Sequence, residues 1–330
     1  MPDRGPWKFV VVGCGRMGFA HSRRLASDDR AQLIGLFDAD ESAAIKLRDE
    51  CAHDATVVPS IDAALAAEAD AVVIATPTDC HHDQISAALT AGLHVLAEKP
   101  LAGTRSDIVR ILELAEAHPH LRCVLGYQRR FWQNERYLRD ELSSGRWGEL
   151  RAVTGVICER WESGIVGTWR DDPAINSGGF LGDAGSHKID AMMYVTGLRP
   201  RKVYAVSQRS RSRVEVMTSV AGTLQGDLPL TMTFMGNAHS YYEELLLHCE
   251  KADLILRDDR VLIAQHNDVR PVDLPARQSG AQSVANPVTG FLDVLNGVAD
   301  NPAPFSCALP VFDVTAAILQ SAREGQPVDL

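Results

Sequence analysis

The stretch Lys8-Phe9-Val10-Val11-Val12-Gly13-Cys14-Gly15-Arg16-Met17-Gly18 decides the fold. Its apolar run reads as a strand buried on both faces, and three glycines at G-x-G-x-x-G spacing then open a helix. Each glycine has a separate task. Gly13 permits the tight turn, Gly15 lets the backbone approach a pyrophosphate with no Cβ in the way, and Gly18 lets helix and strand pack closely. The helix N-terminus presents free N–H groups to the anion, with Arg16 and Met17 in the same cradle. Twenty residues beyond Gly18 the second strand ends at Asp38, where a carboxylate accepts hydrogen bonds from ribose hydroxyls. A 2′-phosphate would meet the negative charges of Asp38 and Asp40, which only Arg16 in the loop offsets, so NAD is expected in preference to NADP.

Outward from this turn the same pattern repeats. Apolar runs at Leu33–Phe37, Val57–Val58, Ala71–Ala75, Leu93–Ala97 and Cys123–Gly126 alternate with helical segments near 16–27, 41–51, 61–67, 79–91 and 104–117. Continuous apolar strands alternating with helices predict an α/β domain, a doubly wound parallel sheet covered on both faces. After Gly126 the style changes. A helix at about 130–144 leads to successive runs at Arg151–Val156, Val203–Gln208, Val214–Gly222, Leu230–Met235, Glu244–His248, Asp253–Leu256 and Val261–Ala264, with long helices near 183–196, 287–299 and 307–324. Runs joined by short turns predict a mostly antiparallel sheet. The expected division is an α/β cofactor domain at 1–126 and an α+β domain at 127–330 for substrate binding and oligomerisation, the last helix being free to pack on the first domain.

Composition narrows the function classes. The 330 residues amount to about two domains, and 45% hydrophobic with 23% charged residues is the globular average. Residues 1–126 carry 12 Lys+Arg against 18 Asp+Glu, and residues 127–330 carry 21 against 25, so neither half is built for nucleic acid. The one basic stretch, Arg199, Arg201, Lys202, Arg209, Arg211 and Arg213, reads as a solvated face. Seven cysteines without a CxxC pair read as reduced thiols in a cytoplasmic protein. No run of 18 apolar residues occurs, and the N-terminus lacks a secretory apolar core, so neither a membrane span nor a signal segment is expected.

Ligands of a doubly wound sheet gather outside the carboxyl ends of its strands. Thr76-Pro77 ends one strand there, and Glu98-Lys99-Pro100 ends another; a lysine so placed is fixed by its neighbours at the crevice. Cys80-His81-His82 does not close on a metal, because consecutive helix residues point about 100° apart. Its histidines read first as helix-face residues, with His81 beside a nicotinamide as the second reading. In the second domain Asp183, His187 and Asp190 lie four and three residues apart, which on a helix aligns carboxylate, imidazole and carboxylate. Two readings compete: a metal site using all three, or an acid/base site in which His187 handles protons. Nothing else supplies ligands of matching spacing, so acid/base leads and no metal is expected. Trp161, Trp169, Arg170, Tyr241 and Tyr242 are candidates for a sugar-lining surface, and equally for core or interface.

Taken together, the glycine turn with Asp38, Thr76-Pro77 with His81, Glu98-Lys99-Pro100, Arg129-Arg130, Trp169-Arg170 and Gly178-Gly179 leading to Asp183 and His187 resemble the glucose-fructose oxidoreductase, inositol dehydrogenase and MocA family over nearly the whole chain. The resemblance implies an N-terminal Rossmann domain and a C-terminal domain with a large open sheet. It also implies NAD(P)-dependent oxidation or reduction of sugars, cyclitols or related polyols by homodimers or homotetramers. Lys99 would lie beside the nicotinamide, Asp183 and His187 would face substrate, and Arg129 and Asp190 would touch its hydroxyls. Two rival classes remain: a glycoside hydrolase or lyase that retains NAD and acts through transient oxidation, and a non-catalytic dinucleotide-binding protein.

Overall fold

A computed structural model describes residues 5–176, 178–274 and 286–330. Residues 1–4, part of the N-terminal reading above, lie outside it. The chain divides into two compact units, Met1–Phe131 with Gln278–Leu309, and Trp132–Arg277 with Pro310–Leu330.

The first unit is built on six strands, β1 (Trp7–Val12), β2 (Ala31–Phe37), β3 (Thr56–Val57), β4 (Ala71–Ile74), β5 (His94–Ala97) and β6 (Cys123–Leu125), in the order β3-β2-β1-β4-β5-β6. Every pairing is parallel, as the continuous apolar runs required: Val10, Val11, Val12 and all four residues of β4 have no exposed surface. Helices α1 (Arg16–Ala26), α2 (Glu41–Cys51), α3 (Ile61–Leu65), α4 (Thr78–Thr90) and α5 (Arg105–Ala117) are the crossovers. Side chains of Asp40, Ser60 and Thr104 cap α2, α3 and α5. The strand order reverses between β1 and β4, so the crevice opens at the glycine turn.

In the second unit α6 (Gln133–Ser143), α7 (Glu162–Ile165) and α8 (Ser186–Thr196) accompany nine strands: β7 (Leu150–Cys158), β8 (Pro200–Gln208), β9 (Met217–Leu224), β10 (Pro229–Met235), β11 (Tyr242–Cys249), β12 (Asp253–Arg257), β13 (Arg260–Gln265), β14 (Asp268–Pro271) and β15 (Val328–Asp329). Their order is β14-β13-β12-β11-β7-β10-β9-β8-β15. All pairs are antiparallel except β10 with β7. The alternating burial of β7 and β11 shows one face turned to a core, and α6 and α8 pack there.

Several expected boundaries move. The helix expected at 130–144 is a 3-10 turn at Gln128–Phe131 followed by α6, because Trp132 is extended. The helix expected at 183–196 begins as a π-helical turn, Leu181–Gly185, before α8 takes over. The division at 126 is also displaced. Helix α9 (Pro287–Leu295) counts with the first unit, since Val288, Phe291 and Leu292 complete the cluster around Phe9, Leu25 and Phe131. Arg30 on β2's approach pairs with Asp293, and Trp7 Nε1 donates to Asn296. The last helix, α10 (Ala308–Glu324), falls mostly in the second unit. Among the described residues Phe305–Glu324 is long and apolar enough to cross a membrane by length and composition alone. Its buried positions Val311, Val314, Ala317, Ile318 and Ser321 recur at helical spacing, however, and Ser321 Oγ accepts the Ala205 amide of β8, as in a core helix.

The basic stretch is a solvated face as expected: Arg201, Lys202, Arg209 and Arg211 pair with Asp227, Asp329, Glu215 and Glu162. Because Phe291 is fully buried against Phe9, their ring centroids 6.0 Å apart, Phe291→Ala is expected to lower stability by about 3–5 kcal/mol. A urea titration of the full chain checks this; an unchanged midpoint would mean that α9 is not part of that core.

Candidate active site

The glycine turn is shaped by close backbone approach. Gly13 has φ +93°, and a Cβ there would lie 2.7 Å from the carbonyl carbon and oxygen of Ala75 and from the Thr76 nitrogen. A Cβ on Gly18 would overlap the Gly13 carbonyl oxygen at 1.8 Å. Gly15 differs: it is the N-cap of α1 with no capping side chain, and its Cβ would point into open space. That combination fits a dinucleotide pyrophosphate, which needs uncapped N–H groups and room beside them. Arg16, Met17 and Gly18 form the first turn of α1. Asp38 ends β2 as expected. Its Oδ2 accepts the Cys14 amide at 2.6 Å and its Oδ1 the Asp40 amide at 2.9 Å. The carboxylate is thereby aimed, and each oxygen keeps a lone pair for a ribose hydroxyl.

Two further strand ends stand beside it. Thr76 follows β4, its hydroxyl donating to Gln84 Oε1 at 2.6 Å, and Pro77 is the N-cap of α4. Glu98-Lys99-Pro100 follows β5, with a cis Lys99–Pro100 bond. Lys99 is half-buried and Glu98 buried. His81 corrects the expectation that it meets the nicotinamide. It is 1% exposed, with Nδ1 2.8 Å from the Pro100 carbonyl and Nε2 3.0 Å from the Thr76 carbonyl. Its ring lies between the two strand ends, and because burial lowers its pKa the neutral imidazole donates to one of these carbonyls. His21 was not singled out by the sequence; its Nε2 lies 2.7 Å from Glu98 Oε1. Burial pushes the Glu98 carboxyl up, but the His21 hydrogen bond, the His21 charge and the Lys99 charge outweigh it and hold the group below the ordinary carboxylate range. Arg129, in the 3-10 turn after β6, is 4% exposed.

The second unit presents Asp183 from the π turn. Asp183 Oδ2 accepts the Trp161 indole N–H at 3.1 Å and lies 3.3 Å from Arg170 Nε. The Arg170 guanidinium stacks 4.3 Å over the exposed Trp169 ring. Two buried carboxylates, absent from the sequence reading, hold the loops that carry these groups. Glu162 Oε1 accepts the Arg211 and Ser212 amides, and Asp171 Oδ1 accepts the Ser212 hydroxyl and the Arg213 amide. The Ser212 hydroxyl, ahead of that amide, holds Asp171 below the usual carboxylate range. The expected stripe of Asp183, His187 and Asp190 is broken. The π turn shifts the phase between the first two, and while Asp183 and His187 are partly exposed, Asp190 has no exposed surface. Lys188, next to His187, is pinned against β11 by Glu243 at 3.6 Å, both side chains buried. Tyr242 donates to Glu244 and Tyr241 is exposed. Among the described residues no group of three His, Cys, Asp or Glu side chains is placed to hold a metal ion.

Comparison with known proteins gives two family models, one described as an oxidoreductase family with an NAD-binding Rossmann fold over residues 7–127, the other as a GFO/IDH/MocA C-terminal domain over residues 136–255. The rhizopine catabolism protein MocA of Rhizobium meliloti is 31% identical over 223 residues, covering 67% of this chain and 64% of that protein. An inositol 2-dehydrogenase of Rhizobium meliloti strain 1021 is 30% identical over 200 residues, covering 61% of this chain and 58% of that protein. The matched stretch thus spans less than two thirds of either relative. The scyllo-inositol dehydrogenase of Lactobacillus casei, solved with bound NAD(H) and scyllo-inositol, shares the fold with a TM-score of 0.84 at 22% identity, covering 98% of this chain and 99% of that one.

Because the folded Glu98 pKa is depressed, its ionised form stabilises the fold above the unfolded value of about 4.3, and that contribution is lost as pH falls through the folded value. Thermal melts from pH 7 to 3 are expected to show wild type more stable than Glu98→Gln at neutrality, with the gap closing in acid. A gap independent of pH would show that the charge is not what His21 holds.

Proposed function

The chain belongs to the GFO/IDH/MocA oxidoreductase family, and from that membership we propose that it is an NAD-dependent dehydrogenase interconverting a carbinol and a carbonyl on a sugar, cyclitol or related polyol. The observation that carries the reading is the conjunction, at the carboxyl ends of one parallel sheet, of an open glycine cradle, a braced Asp38 and a half-buried Lys99. The names of the relatives support the substrate class.

Gly15 and the first turn of α1 would hold the pyrophosphate, and Asp38 the adenosine ribose. Asp38 and Asp40 disfavour a 2′-phosphate, so the cofactor is NAD rather than NADP. Gly15→Val tests the cradle. Open space around that position means thermal stability should stay within about 0.5 kcal/mol of wild type, while calorimetric NAD binding is lost; retained binding would remove the pyrophosphate from this turn. The same titration with NADP on wild type should give at least tenfold weaker binding.

Bound NAD would supply the hydride acceptor. The substrate hydroxyl must shed its proton as it becomes a carbonyl. His187 accepts that proton at a ring nitrogen. Lys99 donates a hydrogen bond where negative charge develops on the substrate and stabilises it. Asp183, oriented by Trp161 and Arg170, accepts from a neighbouring hydroxyl. The chain acts as a homodimer or homotetramer in the cytoplasm, a reading supported by the absence of disulfides among the described cysteines and by the exposed positions that recur along β8, β9 and β10.

A fluorescence panel of sugars, cyclitols and sugar acids with NAD should find a substrate on which NADH accumulates. On it, Lys99→Met and His187→Ala should each lower turnover about 100-fold to 10,000-fold with NAD affinity nearly unchanged. Full turnover in either variant contradicts that residue's role, and cofactor retained through purification with no net NADH would favour a hydrolase.

A further inference from the structure

Beside Lys99 the first unit keeps a buried contact that the chemistry above leaves unused. His21 lies three residues past Gly18 on α1 and is 1% exposed. An ionised carboxylate only accepts, so the hydrogen of the 2.7 Å contact between His21 Nε2 and Glu98 Oε1 sits on the imidazole. The other ring nitrogen, Nδ1, is buried with no hydrogen-bond partner among the described residues. A leucine would fill similar space without orphaning a polar atom, so packing alone does not account for an imidazole here.

The second Glu98 oxygen accepts the Lys99 backbone N–H at 3.3 Å. Gly126 walls the carboxyl in: a Cβ there would lie 3.1 Å from Cδ and from both oxygens. On the far side of Lys99, the His81 ring lies 2.8 Å from the Pro100 carbonyl. The residues on either side of Lys99 each lie against a buried imidazole.

We propose that His21 is a positioning residue: through the Glu98 carboxylate it fixes the main chain of Lys99, and with it the point from which the ammonium reaches substrate. This rests on Lys99 being the donor to the reacting oxygen. It also links the helix that opens at the glycine cradle to the lysine turn.

Two variants of similar bulk separate donor from packing. His21→Leu fills the space without an N–H, and His21→Gln restores an amide donor. In the full-length protein without substrate, hydrogen exchange at the Lys99 amide should quicken about tenfold in H21L and stay at the wild-type rate in H21Q, with the rest of the first unit within about twofold. Equal exchange in H21L and wild type overturns the proposal. If H21L does not fold, His21→Met, whose flexible chain adapts to the space, carries the same comparison. On the substrate found by the panel, H21L should lower kcat about tenfold at unchanged KM for NAD, H21Q should recover it, and H21L/K99M should be no slower than K99M alone. Losses that multiply in the double variant would show that His21 does not act through Lys99. Full turnover in K99M would instead sink the role of Lys99 and leave the exchange result standing, so the two failures are distinct.

Discussion

The first unit depends on how closely three backbone segments meet at the carboxyl end of its sheet. Gly13 presses on the Ala75–Thr76 peptide, and Gly18 presses on Gly13. No side chain fits at either contact. α1 can therefore start only where it does, with its uncapped N–H groups facing the space beside Gly15. Asp38 reinforces the arrangement by accepting the Cys14 amide from the middle of the turn. The residue expected to read the ribose is also a brace for the glycine turn.

Charge burial is the second organising cost. Glu98, Glu162, Asp171, Lys188 and Glu243 are all buried, and an isolated charge in such a place would cost several kcal/mol. In each case a partner offsets the cost: an imidazole for Glu98, main-chain amides and a hydroxyl for the two loop carboxylates, and the Lys188–Glu243 pair between α8 and β11. These groups neighbour the residues proposed to act on substrate. Glu98 precedes Lys99, Lys188 follows His187, Glu162 follows Trp161, and Asp171 follows Arg170, the two groups that meet Asp183.

Legibility followed the range of the interaction. The parallel sheet and the glycine turn were readable because strand burial and helix opening are local patterns of apolar runs and glycines. Lys99 and Asp38 were readable because a strand's end fixes where the next residue lies. His81 lies on a helix as its first reading had it, but nothing local reveals that both ring nitrogens meet carbonyls at the ends of two strands. The spacing of Asp183 and His187 was misread because a regular α-helix was assumed across a π turn, and nothing local shows that Asp190 is buried. His21, Glu162 and Asp171 were missed because their partners lie 77, 49–50 and 41–42 residues away in sequence.

The amino-acid sequence by itself determined the two sheet types and the glycine turn that opens the first helix, because these rest on periodicity and on backbone freedom within a few residues. Tertiary structure alone decided that α9 completes the first core, that Asp183 is held by an indole and a guanidinium, and that Glu98 is ionised against a buried imidazole. The physical reason is that burial and electrostatic environment are properties of what packs around a group, and the chain brings those neighbours from far along its length.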